Sequence, residues 1–120
     1  MNTWALPSLA VATHGCFPRK VGRYAIAEGV LPVEQAVRSA SGLPADVLRL
    51  PERGYLKAGY FADVVLLDPA EYRDRATYDK PHAYATGVAY LWVNGKLALE
   101  NGKFTGTLAG RVLRHKGPGE

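Results

Sequence analysis

Val64, Val65, Leu66 and Leu67 stand four in a row inside the stretch GYLKAGYFADVVLLDP, residues 54–69. Ala58 and Gly59 form a turn ahead of them, and Asp68-Pro69 closes the run. A strand with one wet face alternates apolar and polar side chains. An unbroken apolar run calls for cover on both faces. In a chain of 120 residues that is a severe demand. A domain of this size buries only about two thirds of the surface its unfolded chain exposes, so layers above and below one strand are hard to supply.

The segments around this strand show what could serve. MNTWALPSLAVATHGCFP, residues 1–18, has neither helical nor strand period, yet carries Trp4, Leu6, Leu9, Val11 and Phe17. It reads as a loop that packs onto something else. Val21, Tyr24, Ala25 and Glu28 have helical spacing, and Gly29 is a stop. Pro32 suits the start of a second helix, whose stripe is Val33, Ala36, Val37 and Ala40. Gly42 is the expected left-handed end of that helix, and PADVLRL adds a short helical turn.

Beyond residue 54 the pattern changes to strands. A polar connector, with a possible helical turn around 71–75, separates the apolar run from two Asn-Gly pairs, at 94–95 and 101–102. Both residues of such a pair tolerate positive φ, which a tight hairpin turn requires. GRVLR, residues 110–114, reads as a last short strand. The expected fold is therefore α+β: an N-terminal loop and two or three short helices, then an antiparallel layer of about four strands. The expected division is 1–53 for loop and helices, 54–116 for strands and 117–120 for a frayed tail.

Composition excludes several function classes. Net charge is only +4, and no basic run interleaves with aromatics, so no nucleic-acid partner is expected. The basic cluster RVLRHK at 111–116 reads as a solvated end. No stretch nears the roughly 18 apolar residues of a membrane span, and no signal-peptide pattern opens the chain, so the expected setting is cytoplasmic. Cys16 is the single cysteine and has no internal disulfide partner.

The residues that could carry chemistry do not converge. His14, His82 and His115 show no metal-ligand spacing, so no metal site is expected from this chain. His14 lies two residues from Cys16, and a nearby cation favours a thiolate; an ordinary exposed or packed thiol explains the pair as well. Arg19 or Lys20 in GCFPRK could bind a carboxylate, Arg through a bidentate fork, or could simply be a solvated helix end. Asp63, Asp68, Asp74 and Asp79 read as capping and turn residues.

The succession of segments from GCFPRK through GYLKAGYFADVVLLD to RDRATYDKPHAYATGV and GRVLR resembles the C-terminal part of N-acyl-D-amino-acid deacylases, a branch of the amidohydrolase superfamily. The G-x-L-K-x-G-x-x-A-D-V-V-L-L-D stretch is common across the superfamily; GCFPRK and the RDRATYDKPHAYATGV connector resemble the deacylase branch. The resemblance implies a zinc-bearing (β/α)₈ barrel joined to a small β-sandwich built from both chain ends. This chain then corresponds to the barrel's end and part of that composite sandwich, and strand 62–68 is covered by strands not encoded here.

The resemblance also sets expectations for the site. The family's catalytic Asp falls at Asn2 when MNTWALP is aligned with it, and a neutral amide cannot take up a proton as that base does. The Arg that holds the substrate carboxylate has no counterpart in AVATHG, which leaves Arg19, with His14 and Cys16, as substrate-binding candidates. The expected function is that of a fragment or subunit of a metal-dependent deacylase that hydrolyses a linear amide C–N bond, inactive alone. No cofactor is expected in this chain itself; zinc is expected in the complete family enzyme, and the expected partner is a missing barrel-bearing polypeptide. The alternative is a non-catalytic β module that self-associates as a homodimer or higher oligomer.

Overall fold

The computed structural model describes residues 15–77, 79–80 and 82–114. The loop expected over 1–14 and the tail expected over 117–120 lie outside these residues. The chain forms two compact units interleaved in sequence, Met1–Ala36 with Leu67–Val88, and Val37–Leu66 with Ala89–Glu120.

In the first unit, helix α1 starts at Cys16–Pro18 and continues as Arg19–Ala27. The continuation is wound wide, with N–H groups reaching five residues back; Glu28 N–H donates to the Arg23 carbonyl at 2.9 Å. Wider winding leaves Val21 and Ala25 on one buried side, so the apolar spacing alone does not distinguish it from an ordinary helix. Gly29, at φ +61°, ends the segment as expected. Val21, Ala25 and Ala36 are the buried cluster, with Ile26, Leu31 and Tyr72 packed against it.

Gly22 has a specific reason to be glycine. A Cβ there would collide with the Tyr72 carbonyl oxygen, so its absence lets the connector lie directly on the helix. The connector itself is not helical over 71–75. Asp68 caps a turn, its carboxylate accepting from Ala70 N–H at 2.9 Å and its carbonyl from Tyr72 N–H at 2.8 Å. Arg73 then bridges Thr86 in antiparallel fashion. Local Asx capping followed by this pairing turns the segment into an extended one.

Helix α2 spans Val33–Ala40 and α3 spans Gly42–Val47. Gly42 is not a left-handed stop. The break falls at Ser41, φ −130°, and Gly42 opens α3. Its lack of a side chain makes room for the Tyr55 ring, which a Cβ would meet at 2.6 Å. Tyr55 is held there by a 2.5 Å hydrogen bond from its hydroxyl to Asp46.

The sheet has order β1-β2-β3-β4, with β1 Val64–Leu67, β2 Val88–Val93, β3 Lys96–Glu100 and β4 Lys103–Phe104. The fold is α+β with an antiparallel sheet, as the sequence pattern implied. Both Asn-Gly pairs turn the chain: Asn94 and Gly95 have φ +50° and +76°, Asn101 and Gly102 +48° and +74°. Leu91 faces Leu99 but Trp92 faces Leu97. Ala98 is therefore the extra residue of a β-bulge, and its carbonyl accepts from Thr105 N–H at 3.0 Å. Residues 110–114 form no strand; they alternate like one but find no ladder partner among the described residues.

The apolar run that opened the question is only half covered. Val65 and Leu66 remain 50% and 52% exposed, and among the described residues β1 is an edge strand. Among the described residues, the buried apolar positions of this second unit are Ala45 and Ala98, both small. Arg53 is buried instead, paired with Asp63 and donating to Asn94 Oδ1 at 2.5 Å. Among the described residues no helix is long and apolar enough to cross a membrane.

Asp63 accepts from both Arg53 and Asn94 N–H. Removing its charge strands a buried guanidinium, which costs on the order of 3 kcal/mol. Asp63→Asn should lower the urea unfolding midpoint accordingly, and an unchanged midpoint would show that the pair contributes nothing.

Candidate functional site

The candidate substrate residue Arg19 sits at the start of the wide helical segment, just after the Cys16–Pro18 turn. Its Nε donates to Asp74 Oδ2 at 2.6 Å, and its Nη2 lies 2.5 Å from the same oxygen and 3.2 Å from the Ala76 carbonyl. The Asp74 side chain is only 5% exposed, and its other oxygen accepts from Ala76 N–H at 2.8 Å. Each charge therefore has its complement within the chain, in a site largely shielded from water, where such bonds are strongest.

Gly15 completes the arrangement. A Cβ at this position would run into the Asp74 carboxylate, so glycine permits the close approach. GCFPRK and the RDRATYDKPHAYATGV connector, 55 residues apart at Arg19 and Asp74, are thus clamped face to face. Asp74 also has the turn role that its residue type suggests, accepting from Ala76 N–H; its pairing with Arg19, 55 residues away, leaves no spacing signal.

Beside the clamp lies a hollow of about 280 Å³ lined by Gly22, Arg23, Ala27, Arg73 and Asp74. Its arginines are engaged at the rim: Arg23 pairs with Glu28 at 2.7 Å, which raises its already high pKa, and Arg73 donates to the Ala70 carbonyl at 3.0 Å. Cys16 is a free, exposed thiol. Asn2 and His14, the remaining site candidates, lie outside the described residues, as does His115.

Tyr72, packed against the buried cluster, has its phenol pKa pushed above the ordinary value, by burial first and by the neighbouring Cys16 second. Tyr55 is also raised, chiefly because its hydroxyl donates to Asp46. Among the described residues no three His, Cys, Asp or Glu side chains come together as a metal site. The described residues by themselves therefore do not fit a catalytic metal.

The profile of the amidohydrolase family matches residues 7–98. Over 99 residues the chain is 46% identical to D-aminoacylase of Alcaligenes xylosoxydans xylosoxydans, an alignment covering 82% of this chain and 20% of that protein. It is 42% identical to the N-acyl-D-glutamate deacylase of the same organism over 81 residues, 68% of this chain and 17% of the relative. A D-aminoacylase structure solved to define the role of its binuclear metal centre superposes with TM-score 0.78 at 44% identity, covering 82% of this chain and 21% of that one. The zinc- and phosphonate-bound N-acyl-D-glutamate deacylase of Bordetella bronchiseptica superposes with TM-score 0.67 at 43% identity, over 70% and 18% of the two chains. The chain spans about a fifth of the length of the relatives it matches.

Two consequences of the clamp and its surroundings are measurable. Arg19→Ala leaves the shielded Asp74 carboxylate unpaired and should destabilise the chain by about 2–4 kcal/mol, read as a lowered thermal midpoint; a midpoint equal to wild type would make the clamp dispensable. Tyr72 and Tyr55, with folded pKa values raised, favour the fold fully below the unfolded value of about 10 and lose that contribution as pH rises through their folded values. The unfolding midpoint should thus fall above pH 10, less steeply in Tyr72→Phe. Equal slopes for the two chains would contradict the burial of that phenol.

Proposed function

The chain belongs to the amidohydrolase family, and from that premise we propose that it contributes the structural end of a metal-dependent deacylase acting on N-acyl-D-amino acids. The overall reaction adds water across the amide: the acyl carbon gains oxygen, the C–N bond breaks, and the nitrogen leaves as the protonated amine of the D-amino acid. The observation that carries this reading is the 46% identity over 99 residues to a D-aminoacylase. Two further relatives, an N-acyl-D-glutamate and an N-acyl-D-aspartate deacylase, agree at the level of acyl group and D configuration and differ in side chain.

The described residues support a division of labour. The Arg19–Asp74 clamp holds the segment after Gly15 in one place, which suits a positioning role rather than a reacting one. The ligands for the catalytic metal come from the barrel of the complete enzyme, with zinc as the metal. Its setting is the cytoplasm.

An assay against N-acetyl-D-amino acids with added zinc tests the division. The 120-residue chain alone should release no D-amino acid, and mixing it with the barrel portion of a D-aminoacylase should restore release. Turnover by the isolated chain would overturn the division of labour. Failure of the mixture would overturn the deacylase reading itself.

A further inference from the structure

Two Asn-Gly pairs close the hairpins of the sheet, Asn94-Gly95 between β2 and β3 and Asn101-Gly102 between β3 and β4. Their backbones match: φ is +50° and +76° in the first pair, +48° and +74° in the second. The dipeptide is chemically reactive as well as conformationally apt. Glycine has no Cβ to keep its amide nitrogen away from the preceding side chain, and that nitrogen is a nucleophile for the side-chain carbonyl carbon. Dipeptide and turn are the same at both sites, so any difference in reactivity comes from what holds the groups involved.

The first pair is held at every group the reaction must move. Asn94 Oδ1 accepts from Arg53 at 2.5 Å, and its Nδ2 donates to the Ala109 carbonyl at 2.7 Å. With both ends tied, the side-chain amide is kept from turning its carbon towards Gly95. The Gly95 N–H, which carries the nucleophile, donates to the Ala62 carbonyl at 3.0 Å. The second pair is exposed. The Asn101 side chain makes no hydrogen bond among the described residues. Gly102 N–H reaches the Ala89 carbonyl only at 3.3 Å, beyond the ordinary span of such a bond.

We propose that Asn101 is a site of spontaneous deamidation in this chain, and that Asn94, the same dipeptide in the same turn, is protected from it. The Gly102 nitrogen gives up its proton and bonds to Asn101 Cγ. The Cγ–Nδ2 bond breaks, and the side-chain nitrogen takes up a proton and leaves as ammonia. Water then opens the cyclic imide at one of its carbonyls, giving aspartate or isoaspartate. The product places a carboxylate between Glu100 and Lys103, and isoaspartate also lengthens the main chain of the turn. β4 is only Lys103–Phe104, both exposed. The change therefore falls on the outer hairpin and leaves the Arg53 network intact.

Peptide mapping by mass spectrometry follows both sites in the full chain during incubation at mildly alkaline pH. Trypsin cuts after Lys96 and Lys103, which puts Asn94 and Asn101 on separate peptides. In the folded chain Asn101 should convert at least about tenfold faster than Asn94, because the loss of one hydrogen bond to a charged group already accounts for such a factor. In concentrated urea, where neither turn persists, the two rates should converge. Equal rates in the folded chain, faster conversion of Asn94, an Asn101 that converts only in urea, or a preference that survives undiminished in urea would each overturn the proposal.

Discussion

A guanidinium taken out of water must be fully answered by the groups around it, and Arg53 imposes that requirement on the sheet-bearing unit. Its answers come from three places in the sequence. Asp63, just before β1, supplies the charge; Asn94, in the β2–β3 turn, supplies an amide oxygen; Phe61 offers its ring face. Asn94 in turn accepts no slack. Its backbone N–H is held by Asp63, and its side-chain N–H₂ donates to the Ala109 carbonyl at 2.7 Å. One buried charge thereby fixes where β1 begins, where the hairpin turns, and where the chain after β4 returns. This gives the Ala-Asp of the superfamily stretch a physical task. The aspartate is an anchor between strand and turn rather than a member of a reacting pair.

What that network does not supply is an apolar core. Among the described residues the buried apolar positions of the same unit are alanines, while larger apolar residues such as Val65, Leu66 and Val112 are exposed. Polar contacts can fix geometry, but the driving force of folding is the removal of apolar surface from water. A sheet pinned by charge and left open on its apolar side calls for a neighbour. In the deacylase reading that neighbour is the remainder of an amidohydrolase.

The features written locally in the sequence were legible. Gly29, Asn94-Gly95 and Asn101-Gly102 each adopt the positive φ that their residue types favour, because a turn depends on few neighbours. The antiparallel order followed from those turns. Readings failed where a distant residue decides. Gly42 looked like a helix stop, but the Tyr55 ring, thirteen residues on, occupies the space that its missing side chain leaves. GRVLR has a strand's alternation but no ladder partner among the described residues. The run Val64–Leu67 announced burial on both faces, and the described residues leave Val65 and Leu66 half exposed; a run of apolar residues states what it needs, not who provides it. The Arg19–Asp74 clamp was beyond spacing rules altogether, since a separation of 55 residues carries no periodic signal.

The central claim is that buried Arg53, answered by Asp63, Asn94 and Phe61, fixes where β1 begins and where the hairpin turns. Native-state hydrogen exchange of Arg53→Met, which keeps the side chain long and removes its charge, reads this amide by amide. The account predicts that protection falls together at the Asn94 N–H, held by the Asp63 carboxylate, and at the Gly95 N–H, held by the Ala62 carbonyl. Protection at both amides equal to wild type would contradict it.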